Sequence, residues 1–137
     1  MSFKEIPLMK LNEGTVLFHP YISKNSFKSV KKVLSGRWIG QGPLVDRFEQ
    51  KFKSMFGRNK HCLSTGSGTD ALHLSYILAG LKEGDEVISP LFTCTATNIP
   101  FLYMGVKIKF ADIDPYTMNI SVDHVKKLIT KKTKAII

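Results

Sequence analysis

Ser64-Thr65-Gly66-Ser67-Gly68-Thr69-Asp70-Ala71-Leu72 is a run of mostly small, polar residues set between a short strand-like stretch and a helical pattern. Residues 60 to 64 read as a strand, and residues 69 to 81 carry Leu74, Ile77, Leu78 and Leu81 along one helical face. A strand-to-helix turn of this composition aims unpaired backbone N–H groups and the positive helix end at one point, and small residues let an anion come close. Ser67 and Thr69 add hydroxyl donors, so the segment reads as a phosphate cradle. A tight turn with Ser67 or Thr69 as helix N-cap accounts for the same residues equally well. No GK[ST] follows a glycine run, which removes the nucleoside-triphosphate P-loop. Gly66 to Ala71 does match the dinucleotide pattern G-x-G-x-x-G/A, but that pattern needs an acid at the end of the following strand. Ser89 and Pro90 stand there, whereas Asp85 and Glu86 stand at its beginning, on the wrong edge of a parallel sheet.

Outward from this turn the chain alternates strands and helices. Gly84 and Asp85 turn into a strand over residues 86 to 89, followed by a helix between residues 93 and 104 that Gly105 closes. Pro100 lies inside that helix and removes one backbone hydrogen bond, which predicts a kink or a late start near Thr97 or Asn98. A strand over residues 107 to 113 puts Ile108, Phe110 and Asp112 on one face. The turn DPYTMN follows, then a helix capped by Ser121 with Val122, Val125 and Ile129 in register, and a last strand from residue 134. Upstream of the turn, after an irregular start, Ser23 caps a helix to residue 35 bearing Phe27, Val30 and Leu34. Pro43 opens a second one with the stripe Val45, Phe48, Phe52 and Met55. The pattern predicts an α/β fold, a mostly parallel sheet flanked by helices. It divides into an N-terminal segment with two helices, residues 1–57, and the first βαβ units of a larger domain, residues 58–137. A parallel sheet that stops on an uncovered strand reads as truncated, and its open edge predicts poor solubility or association.

Pro90-Leu91-Phe92-Thr93-Cys94-Thr95-Ala96-Thr97-Asn98 leaves a strand on the same edge as the first turn. Its threonines and the apolar Phe92 and Cys94 suit the lining of a flat ligand, or simply cap a helix. The formal charge of +9 comes from lysines grouped at 24, 28, 31 and 32 and again from 126 to 134, with arginine scarce and no aromatic reading motif. These runs read as solvated helix faces, so no nucleic-acid partner is expected. Cys62 and Cys94 form no disulfide or zinc pattern, and His19, His61, His73 and His124 form no triad or metal spacing. The longest apolar stretch, residues 91 to 106, is broken by threonines and falls short of the ~20 apolar residues of a membrane span. The N-terminus has no signal-peptide character. A cytoplasmic protein without a membrane partner is expected.

Taken in order, SGRWIGQGPLVDRFEQKF, STGSGTDALHL, GDEVISP and FTCTATNIPFLYMGVKIKFADIDPYTMNIS resemble the DegT/DnrJ/StrS-type sugar aminotransferases. These are pyridoxal-phosphate (PLP) enzymes of fold type I, in the aspartate aminotransferase superfamily. The likeness runs from about Ile6 to the end. It implies the first part of a large PLP-binding domain, with Ser67, Gly68 and Thr69 holding the cofactor phosphate. The residue that stacks on the cofactor ring falls at Cys94, where the family usually has an aromatic side chain. A thiol forfeits part of a ring contact worth about 0.5 to 1.5 kcal/mol, so either Cys94 packs on the ring or Phe92 replaces it. Trp38 falls in a segment near the substrate and dimer interface of the family, although a core tryptophan fits too. The family's Schiff-base lysine and its pyridine-binding aspartate belong to later segments, so no catalytic residue and at most weak PLP binding are expected within residues 1–137. Asp112 and Asp114 read as strand-end and turn residues. For the complete protein the resemblance implies a homodimer that transfers an amino group from an amino acid, commonly glutamate or glutamine, to a nucleotide-linked keto-sugar in amino-sugar or polysaccharide biosynthesis. A sugar dehydratase of the same family and a non-catalytic sensor or assembly module stay open.

Overall fold

A computed structural model describes residues 20–36, 38–57 and 59–137. The irregular start before residue 20, with His19, and the arginines Arg37 and Arg58 lie outside the described residues. The chain divides into two compact units, residues 1–48 and 49–137. Two helices come first, α1 (Lys24–Ser35) and α2 (Pro43–Phe56). The Ser23 hydroxyl caps α1 by accepting from the Asn25 N–H at 3.4 Å. Both apolar stripes form, yet neither helix has a buried residue, and Phe27, Leu34 and Met55 are exposed. The lysines of α1 all face water, as do those from Lys126 to Lys134.

The second unit holds α3 (Gly68–Leu78), β1 (Glu86–Pro90), α4 (Thr95–Tyr103), β2 (Lys107–Ala111), α5 (Val122–Leu128) and β3 (Thr133–Ile136). The strands make a parallel sheet in the order β2-β1-β3, with Ile88 paired to Lys109 and to Ile136. Because side chains alternate across a strand, the central β1 feeds two cores. Val87 joins Tyr76, Leu81, Phe101 and Val106 under α3 and α4, while Ile88 joins Ala111 and Val125 under α5. Lys109 bridges Glu86 at 3.0 Å at the start of the sheet, and the Thr130 hydroxyl donates to the same carboxylate at 2.7 Å. The Thr130 bond first, and then Lys109, hold the Glu86 carboxyl below the ordinary glutamate range.

Several local expectations change. The strand expected over residues 60 to 64 does not form: no strand of the described sheet pairs with it, and an extended segment without a ladder is coil. The helix with Pro100 does not start late; it begins at Thr95 and runs through the proline, whose fully buried ring offsets the lost hydrogen bond. Of the residues expected on one face, Leu81 is buried in the core just past the end of α3, but Ile77 and Leu78 are exposed, and Leu72 and Tyr76 pack instead. Tyr76 stacks on Phe101 with ring centroids 4.3 Å apart, so the aromatic pair, not the aliphatic stripe, sets the rotation of the helix. Strand β2 ends at Ala111, leaving Phe110 half-exposed, and of the three residues placed in register around α5 only Val125 is buried.

Candidate functional site

In a parallel sheet each helix runs back against the strands, so α3 and α4, which lead into β1 and β2, both begin at the carboxyl edge. This is the edge at which open α/β sheets bind ligands. Ser67 takes extended backbone (φ −155°, ψ 165°) and its hydroxyl accepts from the Asp70 N–H at 3.1 Å, which makes it the N-cap of α3. The Ala71 N–H reaches the Ser67 carbonyl at 3.1 Å, and the Thr65 hydroxyl donates to that carbonyl at 2.9 Å. Helix geometry leaves the N–H groups of Gly68 and Thr69 without an intrahelical acceptor. Nothing stands within 4 Å of where a Cβ on Gly68 would be, so this end of α3 is open on that side. Among the described residues no acceptor takes the Ser67 hydroxyl hydrogen. The donor set, two backbone N–H groups and the Ser67 and Thr69 hydroxyls at a helix N-terminus, fits a phosphate group. Asp70 in the first turn brings one negative charge, its Oδ2 3.2 Å from where a Cβ on Gly66 would be.

Cys94 is the N-cap of α4, exposed, and its thiol makes no capping bond. The Thr93 and Thr97 hydroxyls bond each other at 3.0 Å, and Phe92 is exposed. The last turn of α3 is tied to the first turn of α4, where the Tyr76 hydroxyl donates to the Thr97 carbonyl at 3.1 Å. Burial pushes the Tyr76 phenol above its ordinary pKa. The Asn98 amide donates to the Pro90 carbonyl at 3.3 Å. Its own Oδ1, and the Ser89 hydroxyl at the end of β1, are buried polar atoms with no partner among the described residues. Such atoms cost stability when left bare, and they mark this edge as polar ground.

Trp38 belongs to the first unit and is 63% exposed, so it is not a core tryptophan. Its indole N–H donates to the Gln41 carbonyl at 2.9 Å and its ring covers Gly42, where a Cβ would stand 2.3 Å from Nε1. With Lys32, Val33, Pro43 and Leu44 it lines an open cavity of about 480 Å³. Asp112 and Asp114 serve the chain reversal after β2. The Asp112 N–H donates to His124 Nδ1 at 2.8 Å, and Asp114 Oδ1 accepts from Tyr116 and Thr117, the Thr117 N–H being the main reason its carboxyl is held low. Among the described residues no group of three or more His, Cys, Asp or Glu side chains is placed to hold a metal, and no helix is long and apolar enough to cross a membrane.

One residue of this region escaped the sequence reading. Glu49, on α2, accepts at Oε1 from both the Ser64 N–H (2.7 Å) and the Ser64 hydroxyl (2.8 Å), at the entry to the turn. The Ser64 N–H first and its hydroxyl second hold the Glu49 carboxyl below the ordinary glutamate range. The signal was an acid four residues after Val45 and three before Phe52, inside an apolar stripe.

The pattern of the DegT/DnrJ/EryC1/StrS aminotransferase family matches residues 20–137. GDP-perosamine synthase of Vibrio cholerae is 36% identical over 121 residues, 88% of this chain and 33% of that protein. The aminotransferase TlmJ from Streptoalloteichus hindustanus superposes with a TM-score of 0.74 at 30% identity, over 88% of this chain and 33% of that one. The E. coli GDP-4-keto-6-deoxy-D-mannose-3-dehydratase with bound hydrated PLP superposes with a TM-score of 0.73 at 32% identity, over 86% of this chain and 32% of that one. The chain thus spans about a third of the length of the relatives it matches.

Proposed function

Because the chain belongs to the DegT/DnrJ/EryC1/StrS aminotransferase family, we propose that it is the phosphate-binding part of a PLP-dependent transaminase acting on a nucleotide-linked keto-sugar. The observation that carries the reading is the start of α3, where Ser67, Gly68 and Thr69 offer donors that no described residue engages, with open space beside Gly68. Bound PLP supplies an electron sink through its pyridine ring. The protein's part is binding and orientation. The N–H groups of Gly68 and Thr69 and the hydroxyls of Ser67 and Thr69 would hold the phosphate dianion. Cys94, or Phe92 beside it, would contact the ring, and Trp38 would contact the sugar substrate. The complete enzyme is taken to be a cytoplasmic homodimer using an amino-acid donor.

A dehydratase of the same family is the second reading, favoured by one fact: the dehydratase structure superposes as well as the aminotransferase. The test is to incubate the complete enzyme with PLP, glutamate and GDP-4-keto-6-deoxy-D-mannose and to identify the product by mass spectrometry. A transaminase replaces the keto oxygen with an amino group and a hydrogen, whereas a 3-dehydratase removes the 3-hydroxyl. A sugar recovered unchanged, with no PLP bound by absorbance, overturns both.

A further inference from the structure

Glu49 interrupts the apolar stripe of α2 between Val45 and Phe52 and is partly exposed. Among the described residues, the hydrogen bonds to its carboxylate come from a single residue. Ser64 lies in a segment that no strand of the described sheet takes up, so its N–H needs an acceptor from elsewhere. Glu49 Oε1 supplies it at 2.7 Å and takes the Ser64 hydroxyl at 2.8 Å as well. Two charge-assisted bonds to one oxygen fix both the backbone and the side chain of the residue that opens the turn. From there the constraint continues through the Thr65 hydroxyl on the Ser67 carbonyl and the Ser67 hydroxyl on the Asp70 N–H. Gly66 and Gly68 would otherwise give this turn wide backbone freedom, and ordering it on binding would cost affinity.

We propose that Glu49 is a positioning residue that pre-orders the turn from Thr65 to Thr69 for the phosphate of its ligand, by holding Ser64 from α2. The inference rests on the reading of that turn as the PLP phosphate site. It needs no contact between Glu49 and the ligand. The lowered carboxyl pKa agrees with it, since accepting the bonds from Ser64 favours the ionised form.

The experiment compares dissociation constants for PLP and for pyridoxal, which lacks the phosphate, in wild type, Glu49→Ala, Glu49→Gln, Ser64→Ala and Ser67→Ala. Wild type is expected to prefer PLP and Ser67→Ala to lose much of that preference; equal binding of PLP and pyridoxal by wild type overturns the phosphate reading and the proposal with it. Given that preference, Glu49→Ala is expected to weaken PLP by about tenfold, the loss of charge-assisted hydrogen bonds, while pyridoxal binding stays within about twofold. Glu49→Gln, which keeps an acceptor oxygen, is expected to recover most of the loss. A Glu49→Ala protein that binds PLP like wild type, or that loses PLP and pyridoxal alike, sinks the role of Glu49 and leaves the phosphate site standing. Should Glu49→Ala not fold, Ser64→Ala removes one of the two bonds and is expected to weaken PLP by about threefold with pyridoxal unchanged; no change in the ratio overturns the proposal.

Discussion

Helices α3 and α4 run from the carboxyl edge of the sheet to a left-handed glycine, Gly80 at φ 77° and Gly105 at φ 65°. At that end they are copies. The Leu81 N–H reaches the Tyr76 carbonyl and the Gly80 N–H the Ile77 carbonyl; the Val106 N–H reaches the Phe101 carbonyl and the Gly105 N–H the Leu102 carbonyl. Both are Schellman motifs, and in each the residue after the glycine is buried in the same cluster as the residue it bonds back to. The starts differ. Helix α3 has a side-chain cap in Ser67, whereas the N-cap position of α4 is Cys94, whose thiol caps nothing. The ends that enter the core are built to fold, and the ends on the open edge are free to differ because no packing decides them.

The strongest way to break this likeness is to remove what the two helices share. Phe101 is fully buried, stacks on Tyr76 and closes the α4 motif. Phe101→Ala is expected to cost about 3 to 5 kcal/mol in urea unfolding, enough to unfold a small unit. A loss under about 1 kcal/mol would mean that the shared cluster does not support both helices.

The two glycines come next, because they have one conformation and different surroundings. A Cβ on Gly80 meets nothing, while one on Gly105 would stand 2.9 Å from Glu83 Cγ and 3.3 Å from its Cβ. Gly80→Ala is expected to cost about 1 kcal/mol for the left-handed backbone alone, and Gly105→Ala about 2 kcal/mol. Equal losses would show that Glu83 moves aside freely.

The smallest effects sharpen the contrast at the starts. Ser67→Ala removes a cap and is expected to lower stability by about 1 kcal/mol. Cys94→Ser supplies one and is expected to raise it by about 0.5 kcal/mol, read as a shift of the urea midpoint at constant slope. Destabilisation by Cys94→Ser would place the thiol in packing that its exposure does not reveal.

The readable parts of the fold were those with local causes. Ser23, Ser67 and Ser121 cap helices, and Gly105 ends one, because an oxygen near a free N–H or a residue without a Cβ acts within one turn of the chain. The turn from Ser64 to Thr69 was legible for the same reason. Glu49 was not singled out, because its partner is fifteen residues away and only folding joins them. The strand expected over residues 60 to 64 failed for the converse reason: extended propensity is local, while a strand needs a neighbour.

By itself the sequence determined the parallel α/β class, the family, and the order of the helices and of the three strands that form, all of which follow from periodicity, caps and spaced motifs. Only the tertiary structure decided which face of α3 is buried, that a proline could sit inside α4, that Trp38 is exposed, and that Glu49 grips Ser64. Those depend on the shape of the partner surface, such as the Tyr76 and Phe101 rings, and no local pattern encodes the surface a residue will meet.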